Sequence, residues 1–205
     1  MSGKRPRARR RVAVALALAA AAGGIGAAAG AAGWWINTSA SLPRGLYRLE
    51  RGPACRGCLV LACAPRWAGE LAGGRGYLPR GDCPGGVKPL GKIVLAAEGD
   101  WVEVREVGLL VVNGRPVAGS AAQAADRAGR PLPHLARGRW RLGGGEVWLF
   151  SPHPRSFDSR YFGPVPAGSV RGVLSPVWTE SLVGLALARG AAGSGPARAR
   201  PEARR

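Results

Sequence analysis

The sequence predicts a mainly β, antiparallel domain behind one N-terminal transmembrane helix, and three observations predict it. Val12 to Ile36 is a stretch of 25 residues without a charge. Seven short runs of β-forming residues follow, each broken by Gly or Pro. Among them stands Asn113-Gly114, and this pair tolerates the positive φ angles that a two-residue hairpin turn needs.

Residues 1–11 form a basic leader, with Lys4, Arg5, Arg7, Arg9, Arg10 and Arg11. Residues 12–36 form the anchor. At a rise of about 1.5 Å per residue such a helix crosses a hydrocarbon core of about 30 Å. The positive-inside rule keeps the leader in the cytoplasm and sends the rest of the chain across the membrane. Trp34 and Trp35 then fall at the far interface. A cleaved signal peptide is the alternative, because the stretch is mostly Ala and Gly and offers a small-residue site at Ala31-Ala32 before Gly33. Gly26 and Gly30 have the small-xxx-small spacing of packed membrane helices, a spacing that arises easily in so Ala/Gly-rich a segment.

Residues 37–180 form the β domain. Its runs are Leu46 to Leu49, Cys58 to Ala62, Leu90 to Ala96, Trp101 to Val107, Leu109 to Val112, Val147 to Phe150 and Val170 to Val177. After Ile36 no helical periodicity of useful length precedes the weak pattern of Ser181 to Leu187. Residues 119–138, with Pro131 and Pro133, read as an inserted loop. Residues 181–205 read as a basic, disordered tail, since Gly, Pro and Arg there cannot build a core.

The formal net charge is +18, but the leader and the stretch from Arg189 onward hold +10 of it, leaving +8 for the middle. That balance does not call for a nucleic-acid partner, because membrane topology and solubility account for charged ends. The single long apolar stretch excludes a multi-span transporter, and no heptads or glycine period appear. Cys55, Cys58, Cys63 and Cys83 lie in a segment expected outside the cytoplasm, where disulfides persist. Cys63 ends an apolar run and Cys83 follows a Gly/Pro-rich loop, which makes Cys63 with Cys83 a candidate pair. The Cys55/Cys58 spacing leaves a zinc site as the alternative, although a second close pair is missing.

Of the 30 basic residues three are lysine, Lys4, Lys88 and Lys92. Arg stays protonated, whereas a desolvated Lys can lose its proton near neutral pH and act as a base. Lys92 sits among Leu90, Ile93, Val94 and Leu95, so strand alternation aims it into one face of the sheet; an edge lysine that snorkels to water is the competing reading. A Ser-His-Asp site is disfavoured: there is no GxSxG elbow, and His134 and His153 lie among prolines and read as solvent-exposed. No close His/Glu spacing calls for a metal, and no cofactor is implied.

Three segments, in order, carry a resemblance. They are Ser41-Leu42-Pro43-Arg44-Gly45-Leu46-Tyr47 after the anchor, Lys92-Ile93-Val94-Leu95-Ala96-Ala97-Glu98-Gly99-Asp100, and Ser156-Phe157-Asp158-Ser159-Arg160-Tyr161-Phe162-Gly163-Pro164. Together they resemble the signal peptidase I family of Ser-Lys proteases, most closely its conjugative-transfer branch, the TraF-type peptidases, from about Ile36 to Trp178. The resemblance implies a signal-peptidase-like catalytic domain with Ser41 as nucleophile and Lys92 as its base. It implies that the backbone N–H of Ser41 and the hydroxyl of Ser39 hold the oxyanion, that Ser156 orients the lysine amine, and that Asp158 and Arg160 form a bracing ion pair. It favours an uncleaved anchor in the bacterial inner membrane with a periplasmic domain, where the partners are the bilayer, an exported preprotein or pilin-precursor substrate cut after small residues, and other proteins of the conjugation apparatus. A general signal peptidase and a non-catalytic membrane-anchored assembly factor are the alternatives. The Cys55/Cys58 pair has no counterpart that the resemblance supplies.

Overall fold

Apolar runs of four to eight residues bounded by Gly and Pro become strands because each buries a face and leaves its ends free to turn. The structure, a computed structural model, describes residue 11, residues 14–17 and residues 33–181. Contacts divide the chain into two units, Met1–Trp35 and Ile36–Arg205. In the first, residues 11 and 14–17 are helical. Most of the expected anchor, and the tail after Ser181, lie outside the described residues. Among the described residues no helix is long and apolar enough to cross a membrane.

The described residues hold twelve strands: β1 (Trp34–Asn37), β2 (Gly45–Glu50), β3 (Leu59–Ala62), β4 (Arg80–Cys83), β5 (Leu90–Ala97), β6 (Trp101–Val104), β7 (Leu110–Val112), β8 (Arg115–Pro116), β9 (Gly138–Arg141), β10 (Glu146–Phe150), β11 (Val165–Pro166) and β12 (Val170–Thr179). Two helices, α1 (Arg66–Gly74) and α2 (Ser159–Phe162), interrupt them. One sheet has the order β1-β2-β12-β3-β5-β10-β11 and the other β8-β7-β6-β9. The pairings from β2 to β11 and from β8 to β9 are all antiparallel.

Strand β10 feeds two cores. Val147 and Leu149 join Val60, Leu90, Val94, Phe157 and Tyr161, while Trp148 and Phe150 join Leu95, Val102, Leu110 and Leu142. A strand wet on one face would alternate apolar with polar; β10 is apolar from Val147 to Phe150 because both faces are covered there. The turn after β5 is closed by Asp100, whose carboxylate accepts from the Ala97 N–H at 2.9 Å, from Asn113 Nδ2 at 2.9 Å and from Arg56 Nε at 2.9 Å. Asn113 has φ 49° and Gly114 φ 79°, and they turn β7 into β8 as the Asn-Gly pair predicts.

The structure departs from the sequence reading at several places. Trp34 to Ile36, expected as the end of the anchor with both tryptophans at the membrane interface, belong to β1. The run from Trp101 to Val107 ends as a strand at Val104, because the chain turns through a 3₁₀ segment at Glu106–Gly108. Helix α1 was not expected: its buried face is Ala68, Gly69 and Ala72, residues too small to give a strong periodic signal. That smallness has a use, since a Cβ on Gly69 would stand 2.4 Å from Pro84 O. Strand β9 begins at Gly138, where the inserted loop was taken to end, and pairs with β6.

All four cysteines are in disulfides, Cys63 with Cys83 at a Cα separation of 5.5 Å and Cys55 with Cys58 at 5.3 Å. No thiolate is left to ligate zinc. The first bridge spans 20 positions, a closure worth about 3 kcal/mol on the chain-entropy account.

Gly45 opens β2 at φ +154°, and a Cβ there would lie 2.1 Å from Trp178 O. The obstacle is β12 backbone, which cannot rotate aside. Gly45→Ala is expected to cost about 1–3 kcal/mol, whereas Gly74→Ala, with nothing within 4 Å of the added carbon, is expected to cost nothing. Thermal denaturation of the two variants checks this.

Candidate active site

The loop from β1 to β2 carries Ser39 and Ser41, and Asn37 organises it. The Asn37 side chain is buried, and its Nδ2 donates to the carbonyls of Ser39 at 3.0 Å, Leu42 at 2.8 Å and Pro43 at 3.1 Å. Its Oδ1 accepts from the Ser39 N–H at 3.1 Å and the Ser39 hydroxyl at 2.9 Å. Tyr47 OH, its pKa pushed up to about 12 by burial and then by Glu180, donates to Pro43 O at 2.6 Å. Leu42 turns into the core and Ser41 is half-buried, so the loop is pinned on both sides of Ser41 while its hydroxyl stays reachable.

The opposite wall follows β10. Ser151 leaves the sheet one residue after Phe150, which pairs with Ile93 of β5. Asp158 then caps α2, accepting from the Arg160 N–H at 3.2 Å. The Asp158 and Arg160 side chains have no exposed surface, and they pair in a fork, Nε to Oδ1 and Nη2 to Oδ2, both at 2.8 Å. The same guanidinium donates to the carbonyls of Ser151, His153 and Ser156 at 3.1–3.2 Å and to Ala121 O at 3.3 Å. Almost every N–H of Arg160 is satisfied, as a buried cation requires.

Lys92 stands in the middle of β5, opposite Val60 of β3, and is 2% exposed. It therefore does not snorkel. By alternation it shares a face with Leu90 and Val94. Burial drives its pKa down to about 8, with the Asp158 carboxylate opposing and the Arg160 guanidinium reinforcing the shift. An amine with this pKa is partly neutral near pH 7, which an exposed lysine is not.

The hydroxyls of Ser41 and Ser156 approach to 3.1 Å. Ser41, Ser156, Asp158 and Arg160 thus form one contiguous polar cluster, and Lys92 feels the charges of its ion pair. The Lys92 amine donates to Gly91 O at 3.1 Å; among the described residues no hydrogen bond joins it directly to Ser41. The Ser39 hydroxyl gives its proton to Asn37 Oδ1 at 2.9 Å.

His134 is exposed, but His153 is half-buried, contrary to the reading of both as solvated. Burial, and then the positive charges of Arg155, Arg160 and Lys92, hold its pKa below the usual histidine value. Its Nδ1 accepts from the Arg155 N–H at 3.3 Å, a loop-closing role. Two residues that the sequence reading missed, Asn37 and Ser151, touch the Ser41 loop directly. The only signal either gives is position, four before Ser41 and one after an apolar strand. Among the described residues no group of His, Cys, Asp or Glu could hold a metal ion.

Several known proteins are similar to this chain. A plasmid transfer protein TraF of Escherichia coli is 43% identical over 156 residues, 75% of this chain and 87% of that protein. A probable conjugal transfer protein TraF of Sinorhizobium fredii is 42% identical over 157 residues, 75% of this chain and 81% of the relative. A signal peptidase I of Enterococcus faecalis, known from its crystal structure, is 21% identical, covers 62% of this chain and 100% of its own, and gives a TM-score of 0.37. Residues 9–179 match the profile of the family described as signal peptidase, peptidase S26, and the chain belongs to that family.

Proposed function

We propose that the chain is a membrane-anchored serine endopeptidase that uses Ser41 as nucleophile and Lys92 as general base to mature exported conjugative-transfer proteins such as pilin precursors. The observation that carries it is the 3.1 Å approach of Ser41 Oγ to Ser156 Oγ, on the cluster whose ion pair acts on a buried lysine with a pKa of about 8. A half-buried serine on this cluster and a buried lysine that can be neutral, acted on by the same ion pair, are the two halves of an activated nucleophile.

In this reading the neutral Lys92 amine takes the Ser41 proton as Oγ attacks the scissile carbonyl. The backbone N–H of Ser41 and the Ser39 hydroxyl, turned from Asn37, hold the oxyanion. Collapse breaks the amide bond and Lys92 returns the proton to the leaving amine; water, giving a proton to Lys92, then attacks the acyl ester, which frees the carboxylic acid and returns the proton to Ser41 Oγ. Ser156 orients the amine, and Asp158 with Arg160 braces the wall behind it.

The names of the relatives, plasmid and conjugal transfer proteins, support the substrate class. The two disulfides suit an oxidising compartment, consistent with a periplasmic domain held at the inner membrane by the uncharged stretch that starts at residue 12 and ends before β1. Partners in this reading are the bilayer, the exported substrate and other conjugation-apparatus proteins, with no nucleic acid and no cofactor.

Intact mass of a co-expressed pilin precursor, in membranes carrying each variant, tests the proposal. Wild type is expected to shorten the precursor, and Ser41→Ala and Lys92→Arg to leave it whole, Arg keeping the charge while removing the base. Equal cutting by Lys92→Arg refutes the base assignment, and a transfer function that survives both changes favours the assembly-factor reading. Ser39→Ala is expected to lower kcat by about 10²-fold without abolishing cleavage.

Acidity gives a separate check. The base must be unprotonated, so kcat/KM is expected to rise with pH towards a plateau above about 8, and to fall about tenfold per unit well below it. The same shift sets stability. Between about 8 and the unfolded value of 10.5 the unfolded chain binds more protons than the folded one, so stability rises with pH across that window. At pH 7 the charged form is buried at a cost, and Lys92→Met is expected to raise the melting temperature by about 5 °C while abolishing cleavage. Calorimetry beside the cleavage assay reads both.

A further inference from the structure

Ser151 has no exposed surface, and all its polar atoms are engaged with the site. Its N–H donates to Asp158 Oδ2 at 3.2 Å, and its carbonyl accepts from Arg160 Nη2 at 3.2 Å. Its hydroxyl accepts from the His153 N–H at 3.2 Å and donates to the backbone carbonyl of Ser41 at 2.7 Å. The last bond joins residues 110 positions apart and is the shortest that Ser41 makes.

From this geometry we propose that Ser151 is a positioning residue for Ser41, transmitting the fixed frame of the Asp158–Arg160 pair to the backbone of the nucleophile. The inference rests on the reading of Ser41 as nucleophile. A serine whose hydroxyl alone is held can still swing with its peptide. Holding Oγ through Ser156 and the carbonyl through Ser151 fixes the side chain and the Cα–C torsion together, so the attacking oxygen has one direction. Preorganisation of this kind acts on the chemical step, and substrate binding is left alone. Composition gives no hint of the role, because Ser151 lies outside the segment that begins at Ser156.

Ser159 supplies the control. It is equally buried and lies in the same stretch, but its hydroxyl accepts from the Leu149 N–H at 2.9 Å, inside the fold and away from Ser41. Steady-state cleavage of a precursor peptide by the full chain in detergent, with melting temperatures alongside, separates the two serines. Ser151→Ala is expected to lower kcat about tenfold with KM within about twofold, while Ser159→Ala loses similar thermal stability and keeps kcat. Ser151→Thr, which retains the hydroxyl, is expected to recover kcat over Ser151→Ala; if the alanine variant does not fold, Ser151→Cys, whose thiol is a weaker donor to the Ser41 carbonyl, takes its place with the same expected loss of kcat. Equal kcat for Ser151→Ala and Ser159→Ala, or a loss confined to KM, overturns the proposal while leaving the peptidase reading in place. Wild type that cuts no better than Ser41→Ala overturns that reading, and the role of Ser151 with it.

Discussion

The Arg160 guanidinium, buried against Asp158, organises the wall of the candidate site from the inside. A cation without water must find its partners in protein, and this one takes the carboxylate and the carbonyls of residues 121, 151, 153 and 156. Five backbone and side-chain acceptors cannot be brought to one planar group unless the loop between β10 and α2 has a single shape. The ion pair is therefore best regarded as a shape constraint. Removing one partner of such a pair commonly costs about 3–5 kcal/mol, because the other is left charged and dry. Lys92 adds a third buried charge whose pKa both members of the pair set in opposite senses.

The same economy governs the Ser41 loop. Asn37 uses one amide to gather three carbonyls, and Tyr47 adds a bond to one of them. Gly45 then passes under the carbonyl of Trp178, so the loop leaves directly into the long ladder between β2 and β12. The nucleophile candidate thus hangs between an asparagine and the start of the β2–β12 ladder, with Ser156 of the Arg160 loop 3.1 Å from its hydroxyl.

Much of this was legible in the residues. The β runs, the Asn113-Gly114 turn and the rarity of lysine all speak from the sequence, because strand burial, positive φ and the chemistry of an amine are local properties. Helix α1 was not legible, since Ala and Gly bury well while contributing little to a hydrophobic pattern. Trp34-Trp35-Ile36 is apolar whether it ends a membrane helix or makes a strand, and only the buried amide of Asn37 distinguishes the two. Strand β9 did carry a signal: Trp140 packs near Trp148, with ring centroids 6.3 Å apart, between the exposed Arg139 and Arg141. That alternation was hidden by an Arg-rich loop. Asn37 and Ser151 were invisible for a deeper reason, because what distinguishes them from any other loop asparagine or serine is a partner created only by the fold.

The groups of the site are dispersed along the chain in a particular order. Ser41 comes early, Lys92 in the middle and the Ser151–Arg160 loop late, while the strand that closes the sheet onto β2 is β12, at the end of the described domain. On the proposed Ser41–Lys92 mechanism, a chain emerging N-terminus first therefore displays its serine long before the groups that aim and deprotonate it. On that proposed mechanism a nascent or truncated copy has no activated nucleophile until the last strand is seated.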